Sequence, residues 1–118
     1  MRMTRMIGAI LATALSAGAG VASAQTPDPA KAAAGKATFE ETKCSKCHGP
    51  EGRGDKTGKM SLVGVSDKLS AAEIRKWITS PAEQTAKLPK KPKEAMKKFD
   101  LTDAQVDGLV AYVQSLKK

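Results

Sequence analysis

One short run, Cys44-Ser45-Lys46-Cys47-His48, decides more about this chain than any other part of it. It gathers both cysteines and the single histidine of 118 residues into five consecutive positions. Any chemistry that uses sulfhydryls or imidazole must therefore happen here. A redox-active dithiol uses Cys-x-x-Cys, but its usual setting is a βαβ scaffold, and no segment of this sequence shows a convincing strand alternation. A structural zinc site needs four protein ligands. The run offers three at most, and the adjacent Cys47 and His48 do not easily aim at one tetrahedral centre.

Covalent haem is the third chemistry, and the spacing matches it. Each thiol adds across one haem vinyl group to give a thioether, and a two-residue spacer on a helical turn matches the separation of the vinyls. Cys44 and Cys47 are the expected attachment points of one haem c. His48 then lies under the iron and donates a ring nitrogen.

The start of the chain sets the compartment. Arg2 and Arg5 precede a stretch from Met6 to Ala24 with no charge, and it ends in Ala22-Ser23-Ala24. That pattern reads as a secretory signal, residues 1–24, cleaved before Gln25. An uncleaved anchor is the competing reading, weakened by a composition of alanine and glycine that is only modestly apolar. The remaining domain, residues 25–118, is expected to be exported, soluble and periplasmic. Its formal charge is strongly positive, +8 for the whole chain, which points to acidic partners or surfaces. Export and the lack of a recognition motif argue against nucleic acid.

Local signals place the helices. Asp28 and Pro29 start one as N-cap and first-turn proline, and it runs up to the cysteines. Residues 49–59 carry four glycines and a proline and read as a loop. Their "GRGDKTGK" is no phosphate loop, because Met60 stands where Ser or Thr is required and no strand precedes it. Ser70 and Glu73 form a capping-box pattern, with Leu69 and Ile74 as a hydrophobic staple, and that helix is expected to end near Thr79, before Pro81. Ile74, Trp77 and Ile78 form its apolar face. Thr102 and Gln105 repeat the box, with Leu101 and Val106 as the staple. Val106, Leu109, Val110, Val113 and Leu116 then make one helical stripe. The expected class is all-α with long loops. Aromatics are only 3% of the chain, so a small core of this kind gains from a cofactor to pack around.

With "GKATFEETKCSKCHGPEGRG", "LSAAEIRKWITSP", a downstream methionine and "LTDAQVDGLVAYVQSLKK" in place, the chain resembles a small bacterial monohaem cytochrome c of class I. The resemblance covers about residues 31–117. It implies about three to five helices around the haem, with the first and last helices crossing. Gly35, Phe39 and Tyr112 match the family's crossing positions, and a glycine there lets two backbones approach closely. Four residues separate Phe39 from Cys44, where the family commonly has three, so a one-residue distortion is expected before the haem turn. The family usually has a proline after Gly58 whose carbonyl accepts from the ligand histidine. Here Lys59 follows, and a backbone carbonyl near Gly58–Met60 is expected to take that part.

Met60 and Met96 are the methionines beyond the leader. Met96 matches the family's axial methionine, shortly before the last helix, while Met60 lies in the loop on the histidine side. Trp77 matches the family's third-helix tryptophan, placed either toward a haem propionate or in the core. His48 and Met96 together would fill both axial positions of the iron. The implied function is single-electron transfer rather than enzymatic turnover. A haem enzyme or gas-binding protein with a weak or open sixth position is the alternative, and an exported thiol oxidoreductase is a third. The expected partners are acidic redox proteins, such as membrane oxidase or reductase subunits. They would dock on a monomer through the lysine-rich region 87–98, which carries Lys87, Lys90, Lys91, Lys93, Lys97 and Lys98 against one acid, Glu94.

Overall fold

The computed structural model describes residues 27–118. The expected leader, residues 1–24, and its cleavage point lie outside them. The carboxylate of Asp28 accepts from the Ala30 N–H at 2.8 Å and opens helix α1, Pro29–Glu41. A single turn, α2, spans Ser45–His48. Helix α3, Ala71–Thr79, starts where the Ser70 hydroxyl accepts from the Glu73 N–H at 3.2 Å, and it stops before Pro81 as expected. Helix α5, Asp103–Ser115, carries the complete reciprocal box between Thr102 and Gln105. Shorter helical turns lie at Pro50–Gly52 and Val65–Asp67. No strand occurs among the described residues, so the fold is all-α.

One element goes beyond the sequence reading. Pro81 ends α3 and also opens a six-residue helix, α4, Pro81–Ala86. Proline suits the first turn of a helix because its missing N–H would have had no partner there. Pro81 and Thr85 are the buried residues of α4.

Helices α1 and α5 make the most extensive contact in the molecule. Gly35 and Gly108, both buried, meet at the crossing, where a methyl on Gly35 would overlap the Gly108 carbonyl. Below them the rings of Phe39 and Tyr112 pack edge to face, centroids 5.3 Å apart, a favoured aromatic geometry. Phe39 is 2% exposed and anchors a cluster with Ile74, Ile78, Val106, Leu109, Val110, Tyr112 and Val113. Leu69 and Leu101, the staple residues, pack against this cluster. Arg75 on α3 ties that helix to α5 through Asp103, at 3.2 Å, and Asp107.

Candidate functional site

Helix α1 must stop abruptly so that the next residues can turn under the core. It does so with Lys43 in the left-handed region at φ 59°. The Cys44 N–H reaches back to the Phe39 carbonyl at 3.0 Å, and the Lys43 N–H to the Glu40 carbonyl at 3.2 Å. These two bonds are the Schellman ending of a helix, usually built on glycine. The expected extra residue before the haem turn is thus absorbed as a left-handed lysine rather than as a bulge within α1.

Cys44 then begins a fresh helical turn. Its carbonyl accepts from Cys47 N–H at 3.2 Å and His48 N–H at 3.0 Å. Three-residue spacing on a helical turn puts Cys44 and Cys47 on one side. Cys44 is half-buried, Cys47 is exposed, and both are free thiols. The Thr42 hydroxyl lies 3.1 Å from the Cys44 sulfur.

The histidine is oriented by the loop that follows. Its Nδ1 lies 2.9 Å from the Met60 carbonyl oxygen. A carbonyl has no proton to give, so Nδ1 carries the hydrogen and donates. The other nitrogen, Nε2, keeps its lone pair, as a metal ligand requires. The expected carbonyl is therefore that of Met60, the last of the three residues considered. Met60 has φ 64° and is 51% exposed, so it serves the histidine through its main chain.

Cys44, His48 and Met96 line one cavity of about 790 Å³, counted with its open mouth. Its other walls are almost wholly apolar. Leu62 and Leu69 come from loops, Val65 from a short helical turn, Ile74, Trp77 and Ile78 from α3, and Leu109 and Val113 from α5. Phe99 and Leu101 complete the lining. Met96 is half-buried in an irregular segment between α4 and α5. Sequence reasoning missed Leu62, Val65 and Phe99, which sit in loops or a single three-residue turn, too short for any periodicity to reveal them. Trp77 is a wall of the cavity, half-buried.

One carboxyl and one phenol are shifted. Hydrogen bonds from the Thr57 hydroxyl, the Thr57 N–H and the Lys59 N–H hold the Asp55 carboxyl below its ordinary value. Burial, then the charges of Glu51 and Glu40, push the Tyr112 phenol up. Around Met96 the six lysines of 87–98 are all exposed. Lys91 is not free, since its ammonium donates to the Ala86 carbonyl at 2.6 Å and caps the end of α4. Among the described residues, no three or more His, Cys, Asp or Glu side chains are arranged so that they could hold a metal ion between them.

An all-α domain that closes an apolar cavity over a Cys-x-x-Cys-His turn is a covalent haem protein. The family model described as Cytochrome c matches residues 32–117, and the chain belongs to the cytochrome c family. No curated protein and no solved structure matched the chain. Membership makes the chain a haem-c electron carrier, of a family whose members are typically not enzymes. The residues fit the group: Cys44 and His48 line the apolar cavity with Met96, while Cys47 lies exposed on the same turn.

Proposed function

We propose that this protein is an exported carrier of single electrons, with one haem c attached through Cys44 and Cys47 and ligated by His48 and Met96. The observation that carries this reading is the convergence of Cys44, His48 and Met96 on one apolar cavity, with the histidine already pinned through Nδ1. The haem supplies the Fe(II)/Fe(III) couple. The chain's own groups set its properties. A neutral, soft sulfur from Met96, with His48 as the other ligand, would favour the ferrous state and raise the potential. With both His48 and Met96 as ligands, no site would be left open for oxygen or peroxide. The apolar walls would give the haem a setting poor in polar groups.

Export rests on residues 1–24, with cleavage before Gln25 and a periplasmic domain of residues 25–118 as the product. No helix among the described residues is long and apolar enough to cross a membrane. The partner is an acidic face on another redox protein, a membrane oxidase or reductase subunit being the expected kind, met by a monomer. The exposed lysines around Met96 support this, because charge steering speeds the arrival that a transient carrier needs.

The test is a mass and a spectrum. The mature protein should carry the mass of one haem that survives denaturation and acid extraction. Its ferric form should show the weak near-infrared band of an iron–methionine bond. Met96→Ala should abolish that band, lower the potential and admit external ligands, while Met60→Ala should leave all three unchanged. Two titratable thiols and no added haem mass would refute attachment. A band that survives Met96→Ala and disappears in Met60→Ala would refute the ligand assignment.

A further inference from the structure

The carbonyl that orients His48 does not sit on a rigid element. Met60 follows a loop in which Glu51, Gly52, Gly54 and Gly58 all have positive φ. No proline stiffens residues 51–60. The loop's shoulders are held by the Gly54 N–H donating to the His48 carbonyl at 2.6 Å and the Leu62 N–H donating to the Gly52 carbonyl at 2.7 Å. Between those shoulders, the ordering runs through one residue.

Asp55 closes the tip in both directions. Its N–H donates to the Lys59 carbonyl at 3.0 Å, and its carbonyl accepts from the Gly58 N–H at 2.9 Å. Its Oδ1 also accepts from the Thr57 N–H at 2.8 Å, the Thr57 hydroxyl at 2.6 Å and the Lys59 N–H at 3.0 Å. Lys59 is thus gripped at both its N–H and its carbonyl. The next residue is Met60, whose carbonyl meets His48 Nδ1.

We propose that Asp55 is a positioning residue for the axial histidine: its carboxylate gathers residues 57–59 into a closed turn and so holds the Met60 carbonyl at His48 Nδ1. The inference rests on the reading of His48 as an iron ligand. It assigns to a surface side chain that does not line the haem cavity control over the basicity of that ligand. A well-made Nδ1–H···O bond makes an imidazole a stronger donor, which favours ferric iron and holds the potential down. Loosening the turn weakens that bond.

The experiment uses the haem-loaded protein. His48 Nδ1–H exchange is followed by NMR in the ferrous state, and the potential by voltammetry. Asp55→Ala should speed exchange about tenfold, the equivalent of roughly one net hydrogen bond, and shift the potential upward. Asp55→Asn keeps an oxygen at the same place and should stay close to wild type in both. Arg75→Ala, which cuts the distant ties between α3 and α5, should lower stability without changing exchange. Unchanged exchange in Asp55→Ala would overturn the proposal, as would a failure of Asn to rescue or an equal acceleration in Arg75→Ala. The ferric wild-type spectrum separates the two levels. His48 ring protons without a hyperfine shift would refute the ligation itself, whereas shifted ring protons with unchanged Asp55→Ala exchange would refute only the role of Asp55.

Discussion

Replacing Gly35 by alanine tests the helix crossing that carries the fold. The added methyl would run into the carbonyl oxygen and carbon of Gly108 and crowd the Leu109 nitrogen. All three are backbone atoms of a packed helix, so none can rotate away. The helices must part, along an interface that includes the Phe39–Tyr112 pair. Overpacking a tight site costs about 1–3 kcal/mol, and rigid backbone on both sides puts this one near the upper end. Alanine returns about 1 kcal/mol through its better helix propensity. The net loss is about 2 kcal/mol, or a fall in Tm of about 10 °C at the usual sensitivity of a domain this size. Gly108→Ala is the internal comparison. Its methyl would lie 3.1 Å from the Gly35 nitrogen, 3.2 Å from the Gly35 Cα and 3.3 Å from the Lys31 carbonyl oxygen. Relief of a few tenths of an ångström suffices there, and the propensity gain offsets most of the strain. That variant should fall within about 0.5 kcal/mol of wild type. Guanidinium unfolding of both haem-loaded variants, read by far-ultraviolet circular dichroism and Soret absorbance, measures the difference. A Gly35→Ala protein as stable as wild type, or a Gly108→Ala protein that loses more, would refute the geometry of the crossing.

Haem-free protein with Cys44→Ala and Cys47→Ala should be largely unfolded by circular dichroism, because an empty apolar cavity leaves the surrounding side chains without partners; cooperative unfolding with nearly full helix content would contradict this. Electron transfer with the natural partner should slow steeply as salt rises, since screening acts over ~10 Å at ordinary ionic strength. Charge reversal at Lys90, Lys93 and Lys97 should slow association while leaving the potential nearly unmoved, and equal rates would leave only a solvated loop. Lys91 is kept out of that variant because it caps α4, and its loss would mix destabilisation with docking. Above about pH 10, the ordinary tyrosine value, stability should fall in part through Tyr112. Burial raises its folded pKa, so the unfolded chain releases that proton first and the linked stability, intact at lower pH, is lost as pH climbs toward the folded value. Tyr112→Phe should flatten the alkaline limb of a stability–pH curve; an identical slope in both proteins would remove Tyr112 from the account.

What could be read from the sequence was whatever a few neighbouring residues settle among themselves. The caps at Asp28, Ser70 and Thr102 satisfy amide groups two or three positions away, so the starts of α1, α3 and α5 follow from local chemistry. The haem turn belongs to the same kind, since thiol spacing on a turn is a local quantity. The start of α4 carried no such sign. Ser80 makes no side-chain cap bond there and also serves as the C-cap of α3, so Pro81 announced an end more clearly than a beginning. Gly108 was invisible for the opposite reason. A glycine inside a strong apolar stripe reads as a mild defect until Gly35 lies against it, and that pairing is made by the fold alone.

The histidine's hydrogen bond sits between these cases. A carbonyl donated by Gly58–Met60 was foreseeable because backbone must reach Nδ1 from the covering loop, whatever its side chains are. Which carbonyl reaches it depends on how the loop tip closes. Asp55 settles that with three accepted bonds spanning four positions, a pattern written in "DKTGK". Asp, Thr and Gly there are ordinary turn residues, and turn chemistry alone does not say what the turn is for. Its purpose becomes visible only once His48 is seen at the other end of the Met60 carbonyl. For that reason a change at Asp55 should be read at the imidazole as well as in the melting temperature.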